Sequence, residues 1–368
     1  MPPYPLSGDG NHGDGDDDEE AEARDGLGNL SLDPPLPKHR RFLQSSSAKA
    51  PDPALSPLSA STHFAQAIQV SVPLSDLDFR VYITPPTVAT DGNGKYGSII
   101  VCHHGAGYSA LSFACLAKEV VQSTSGECGI MAFDARAHGK TTSISNPGLD
   151  PPELDLSLSN LTNDFLVGHS MGGAVVTNAS GKLIEKGYSL CGVAVLDVVE
   201  GSAIEALPHM HTLLASRVEG FASPEDAIAW HTTGHTGSTI RNVFSARLSV
   251  PSLIVPSTPD EISAGIPQWK WRTPLKSTAP YWESWFAGLS KSFLATRTAR
   301  LLVLAGTDRL DRELMIGQMQ GKFQLIVVPD VGHMLHEDDP GRIAEILVEF
   351  WKRNDRPILP GIKKVGER

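Results

Sequence analysis

A serine becomes a nucleophile when the backbone pushes its hydroxyl into the open and a histidine stands ready to take its proton. This chain carries both parts. Ser170 is the centre of Gly168-His-Ser-Met-Gly172, preceded by the apolar Phe165-Leu-Val and followed by Gly173-Ala-Val-Val. Strand, tight glycine-flanked turn and small-residue helix in that order make a nucleophile elbow, whose glycines let strand and helix approach closely. A Gly-rich turn of any doubly wound sheet is the plain alternative, and the flanking pattern argues against it. His333 ends Val328-Pro-Asp-Val-Gly-His, on the loop expected between the last strand and the C-terminal helix, where a general base belongs. His336 reads instead as part of the entry into that helix. A metal site from His333, His336 and Glu337 lacks a further ligand at suitable spacing, so neither metal nor cofactor is expected.

The acid that orients the base has two candidates. Asp197 ends the strand after the elbow helix, and Asp308 follows the next-to-last strand in Leu302-Val-Leu-Ala-Gly-Thr-Asp. Both stand at carboxyl ends of strands, and the pattern alone favours Asp308 slightly. For the oxyanion, His103-His-Gly-Ala-Gly107 follows an apolar strand, so the backbone N–H groups of Gly105, Ala106 and Gly107, with that of Met171, are the expected donors. His103 and His104 themselves read as a structural turn, and Asp134-Ala-Arg-Ala-His-Gly139 as a turn-stabilising element.

The elements that must hold these residues follow from periodicity. Short β-branched runs at 79–83, 98–103, 130–133, 165–168, 193–196, 301–304 and 324–328 alternate with helical stretches at 113–122, 172–186, 224–232, 282–294 and 342–351. That alternation predicts an α/β fold with a mostly parallel central sheet and flanking helices. Asp339-Pro340 supplies the N-cap and first-turn proline of the last helix. An insertion at about 201–295 interrupts the alternation and is expected to cap the carboxyl edge of the sheet, its centre from 249 to 267 reading as loop. Trp269, Trp271, Trp282 and Trp285 cluster there, most as core, one or two as the lining of a groove. One junction is crowded: between 135 and 164 the chain spends Pro147, Pro151 and Pro152, and the helical spacing of Leu154, Leu158, Leu161 and Phe165 runs into the elbow strand with no loop between.

The composition is that of one large domain with appendages, 368 residues at 40% hydrophobic content. The net charge of −11 comes largely from Asp9 to Asp25, where nine acids face one arginine. Residues 1–60 are acidic and proline-broken, and disorder is expected for them; 61–355 form the catalytic domain and 356–368 a tail. No basic face suits nucleic acid, and no signal peptide or membrane span is apparent, so a cytoplasmic protein is expected, with the nucleus a second compartment. Cys102, Cys115, Cys128 and Cys191 read as reduced, buried thiols, and a monomer is the default.

Beyond the elbow, the chain carries His104-Gly-Ala-Gly-Tyr-Ser-Ala-Leu-Ser, Asp197-Val-Val-Glu-Gly-Ser-Ala, Ile240-Arg-Asn-Val-Phe-Ser-Ala-Arg, Tyr281-Trp-Glu-Ser-Trp-Phe-Ala-Gly-Leu-Ser and Ile316-Gly-Gln-Met-Gln-Gly-Lys-Phe-Gln. With these blocks it resembles, over roughly 76–355, the protein phosphatase methylesterase 1 family of α/β-hydrolase-fold serine esterases. The resemblance implies removal of the methyl ester from the C-terminal leucine of the protein phosphatase 2A catalytic subunit, that subunit's methylated tail as partner, and no cofactor. It also implies Ser170, Asp197 and His333 as the triad, which reverses the choice of Asp308. Family members carry a longer helix and loop before the elbow strand, so the crowded junction looks like the scar of a missing segment. A small-molecule or lipid esterase of the same fold, and a non-catalytic phosphatase-binding protein, are the competing readings.

Overall fold

The computed structural model describes residues 52–72, 75–87, 97–143, 164–233, 239–306 and 310–355. Asp308 and the crowded stretch from Pro147 to Leu161 lie outside the described residues, as do the acidic run and the C-terminal tail.

Strands β1 (Gln66–Val72), β2 (Leu77–Thr84), β3 (Ile99–His103), β4 (Gly129–Phe133), β5 (Thr142–Ser143), β6 (Asp164–His169), β7 (Leu190–Leu196), β11 (Ala299–Leu304) and β12 (Gln324–Val327) make a nine-stranded sheet. Its order is β1-β2-β4-β3-β6-β7-β11-β12, with β5 beside β2. From β4 to β12 every pairing is parallel, and β1, β2 and β5 form an antiparallel edge. The central strands read as unbroken apolar runs because both faces are covered. Ile100, Cys102, Ile130, Phe165 and Leu301 turn to one face, where helices α1 (Ala114–Ser123) and α11 (Pro340–Asn354) pack. Val101, Met131, Leu166 and Val193 turn to the other, against Val176 and Leu183 of α2 (Met171–Glu185). This is the two-residue alternation of a strand, expressed in a sheet with two dry sides.

The expected elements are present, with bounds shifted by a few residues, and the differences are local. The first strand expected, at 79–83, is the core of β2, and β1 lies outside it at the edge. The helix expected at 282–294 is two helices, α7 (Trp282–Phe286) and α8 (Leu289–Ala295), because Gly288 adopts a φ of 78° between them. The insertion is more ordered than a loop. It holds α3 (Glu200–Ser216), α4 (Pro224–Thr232), α5 (Val243–Ser249) and α6 (Pro259–Ser263), and a small antiparallel sheet of β8 (Gly220–Phe221), β10 (Trp269–Trp271) and β9 (Ile254–Pro256). Both β9 and α6 fall in the stretch read as loop; α6 is started by a capping box between Thr258 and Glu261. Residues 52–60, expected in the disordered tail, lie against the body. Leu58 N–H donates to the Arg247 carbonyl at 2.9 Å, and Arg247 Nε donates to the Ser56 carbonyl at 2.7 Å. Arg247 thus ties this segment to α5.

Two glycines set how closely the elbow can close. A Cβ added to Gly168 would lie 2.1 Å from the Gly172 carbonyl oxygen, and one added to Gly172 would lie 2.2 Å from the His103 carbonyl oxygen. Both obstacles are backbone, so neither can rotate away. Gly172→Ala is expected to destabilise by more than about 3 kcal/mol, read as a fall in the thermal midpoint. An unchanged midpoint would contradict this packing.

Candidate active site

The elbow holds Ser170 at φ 52°, ψ −122°, between β6 and α2. A non-glycine residue in this region costs about 1–3 kcal/mol, a strain that persists only where neighbours enforce it. Here Ser170 N–H donates to the Leu196 carbonyl at 3.0 Å, and the Ser170 carbonyl accepts from Gly173 N–H at 2.8 Å. Met171 opens the helix, so its N–H has no carbonyl one turn back within the helix to bond.

Asp197, just past β7, is a second residue at positive φ, 51°. Its side chain is fully buried, with Oδ2 accepting from His333 Nδ1 at 2.7 Å and Oδ1 accepting from Ala305 N–H at 2.9 Å. A carboxylate at that distance makes Nδ1 the protonated ring nitrogen and leaves Nε2 with its lone pair. His333 stays partly open, its side chain 11% exposed, and Ser170, Asp197 and His333 all line one cavity of about 420 Å³. Its walls are strand ends on one side and insertion residues such as Leu213, Trp230, Trp282 and Trp285 on the other, so the insertion covers the carboxyl edge of the sheet. Trp282 and Trp285 thus line the groove, whereas Trp269 and Trp271 belong to the small sheet.

The loop from Gly105 to Gly107 lies against the serine. A Cβ on Gly105 would come within 3.2 Å of Ser170 Cβ and 2.9 Å of His169 Nδ1, so only glycine allows this approach. One expected oxyanion donor is corrected: Gly107 N–H donates to His138 Nε2 at 2.9 Å, which removes it from the set. The turn read as scaffold is what holds this loop. His104 Nε2 accepts from Ala135 N–H at 3.0 Å, and the Asp134 carboxylate accepts from the N–H groups of Ala110 and Lys140, each at 2.8 Å.

Sequence reasoning missed His169. It sits fully buried beside Ser170, and its Nε2–H donates to the His333 carbonyl at 2.8 Å, pinning the His333 loop to the elbow. Its place inside the elbow motif was a signal, but its partner lies 164 positions away. His336 stacks on Phe113 at 4.5 Å, and Glu337 Oε2 accepts from the hydroxyls of Ser245 at 2.8 Å and Ser249 at 2.7 Å. His333, His336 and Glu337 therefore point to different partners, not to one ion.

Burial keeps the surrounding histidines neutral. It lowers His103 and His138 to about 4 and His169 to about 3, and holds His104 and His336 well below 6.5, with histidine neighbours adding to the effect at His104 and His336. These folded values lie below the unfolded one, so the stability they carry is complete above about pH 6.5 and is lost as the pH falls toward 4. Burial moves four acids the other way: it raises Asp134 and Asp338, and takes Glu337 to about 8 and Asp164 to about 7. Their contribution is complete below about pH 4 and is lost as the pH rises, through 7 to 8 for the last two. With His231 and His63, which burial also lowers, seven histidines outnumber the four acids. The thermal midpoint is expected to peak near pH 6.5, fall steeply toward pH 4.5 and fall gently toward pH 8.5; a flat profile from 7 to 4.5 would contradict the neutral cluster.

An elbow serine, a histidine fixed by a buried aspartate and a largely apolar cavity above a parallel sheet are the arrangement of a serine hydrolase of the α/β-hydrolase fold. The model of the alpha/beta hydrolase family matches residues 100–346. Among solved structures, E-2-(acetamidomethylene)succinate hydrolase is similar in fold, with a TM-score of 0.57 at 17% identity, covering 78% of this chain and 100% of that one. Protein phosphatase methylesterase 1 of Cryptococcus neoformans var. neoformans serotype D is 50% identical over 343 residues, 83% of this chain and 80% of that protein. Its namesake in Aspergillus oryzae is 46% identical over 312 residues, 78% of this chain and 69% of that protein. The chain belongs to the protein phosphatase methylesterase 1 family. In the Cryptococcus comparison, 83% of 368 residues falls well short of 343, so that relative carries stretches this chain lacks.

Proposed function

We propose that this esterase hydrolyses the methyl ester of the C-terminal leucine of the protein phosphatase 2A catalytic subunit, acting as a monomer in the cytoplasm and nucleus. The observation that carries the reading is the Asp197–His333 hydrogen bond at the mouth of a cavity shared with the strained Ser170, in a chain half identical to a protein of that name. His333 Nε2 takes the hydroxyl proton as Ser170 Oγ attacks the ester carbonyl. The N–H groups of Met171, Gly105 and Ala106 hold the resulting oxyanion, and Asp197 stabilises the imidazolium. The proton passes from His333 to the leaving methoxide, methanol departs, and water attacks the acyl-enzyme with His333 again as base. The carboxylate leaves and Ser170 is restored.

The apolar lining of the cavity, Leu213, Leu214, Met210, Trp230 and Trp282 among it, suits a leucine side chain. It also suits an aliphatic acyl chain, which keeps the lipid-esterase reading in view. The two separate on substrate choice. A peptide ending in leucine methyl ester is expected to give at least about tenfold higher kcat/KM than a long-chain p-nitrophenyl ester, once each rate is corrected for uncatalysed hydrolysis. The reverse order would favour the lipid esterase.

A further inference from the structure

The cavity carries a cation without a counter-charge. Arg217 is the C-cap of α3, its backbone N–H bonded to the Leu213 carbonyl, and its side chain lines the cavity that Ser170 and His333 share. The guanidinium lies over the ring of Trp271 at 3.3 Å and near that of Trp230 at 6.0 Å. Trp271 is itself fixed, its Nε1–H donating to the Val218 carbonyl at 2.8 Å, and Trp230 stands edge-on to it at 70°. Among the described residues no carboxylate pairs with Arg217. Of the acids that line the cavity, Asp197 is taken by His333, and Glu205 lies twelve residues back on the same helix, about 18 Å along its axis. The ionisable groups closest in effect, Tyr108 and His231, are both neutral at pH 7, because burial lifts the phenol to about 12 and lowers the imidazole to about 3. Burial draws Arg217 down only to about 10, so it stays charged. Stacking on indole offsets part of the cost of removing a guanidinium from water, and a partner carboxylate would offset the rest and add directed hydrogen bonds.

We propose that Arg217 is a specificity residue that pairs with a carboxylate side chain on the peptide carrying the methyl ester, so that the site reads an acidic residue upstream of the leucine. This rests on the peptide-ester reading above. Arginine suits the task because its planar fork, seated over Trp271, can meet a carboxylate with two parallel N–H groups.

The test compares short leucine methyl ester peptides in which one residue at a time is Asp or its neutral isostere Asn. At one position, wild type is expected to favour Asp over Asn by at least about tenfold in kcat/KM at low salt. In Arg217→Gln the ratio should fall to about one, and in Arg217→Lys it should be intermediate. Because the ratio is taken within each protein, a general loss of activity cancels. Cleavage of all peptides with no Asp preference in wild type, or a preference that survives in Arg217→Gln, would overturn the assignment and leave the methylesterase reading standing. Binding of the same peptides to Ser170→Ala, followed by tryptophan fluorescence, should show the same preference. If leucine methyl ester peptides are neither bound nor cleaved, the peptide-ester reading fails and this inference with it.

Discussion

Ser170→Ala is expected to lower kcat for ester hydrolysis by about 10⁵- to 10⁶-fold, with KM little changed. The substitution removes only Oγ, the atom that the backbone at φ 52° exists to present. The proposed oxyanion donors, the cavity and the Asp197–His333 pair all survive it, and they should account for the residual rate. His333→Ala should fall nearly as far, and the double variant little further, because nucleophile and base act as one unit. Thermal midpoints within a few degrees of wild type would show that the loss is chemical. A Ser170→Ala protein within tenfold of wild type would remove the nucleophile assignment.

Asp197→Asn is the next largest effect, a loss of about 10⁴-fold in kcat. The carboxylate fixes the proton on His333 Nδ1 at 2.7 Å, and its other oxygen is anchored by Ala305 N–H. An amide in its place can offer an N–H to Nδ1, which puts the ring proton on Nε2, where it blocks the uptake of the serine proton. Asp308→Asn is expected to cost less than about tenfold. The comparison is decisive because pattern alone put the two aspartates close together, with Asp308 slightly ahead. A large loss at Asp308 with a small one at Asp197 would reverse the acid assignment.

That ambiguity shows what was legible before the structure. The elbow could be read because its signal is local: apolar strand, glycine turn and small-residue helix occupy consecutive positions. The central strands could be read because burial on both faces leaves uninterrupted apolar runs, such as Ile99-Ile-Val-Cys in β3. Strand β1 was missed because all but the last of its residues are exposed, at an edge where only pairing with β2 defines it. Helix α3 was missed because it includes Pro208 and has few buried residues; its start is tied by Glu200 accepting from the N–H groups of Gly288 and Ser290. The use of Gly107 N–H by His138, and of His333 by His169, joins residues 31 and 164 positions apart, and no spacing rule reaches that far.

Methylated protein phosphatase 2A catalytic subunit, incubated with the purified chain or with its Ser170→Ala variant, provides the most direct test, in which methanol released is measured against loss of the methyl mark. Equal amounts of methanol released and methyl ester lost, from wild type and not from the variant, are the expected result. A folded chain whose Ser170 reacts with a fluorophosphonate probe, yet which leaves the methyl mark intact, would contradict the proposed substrate.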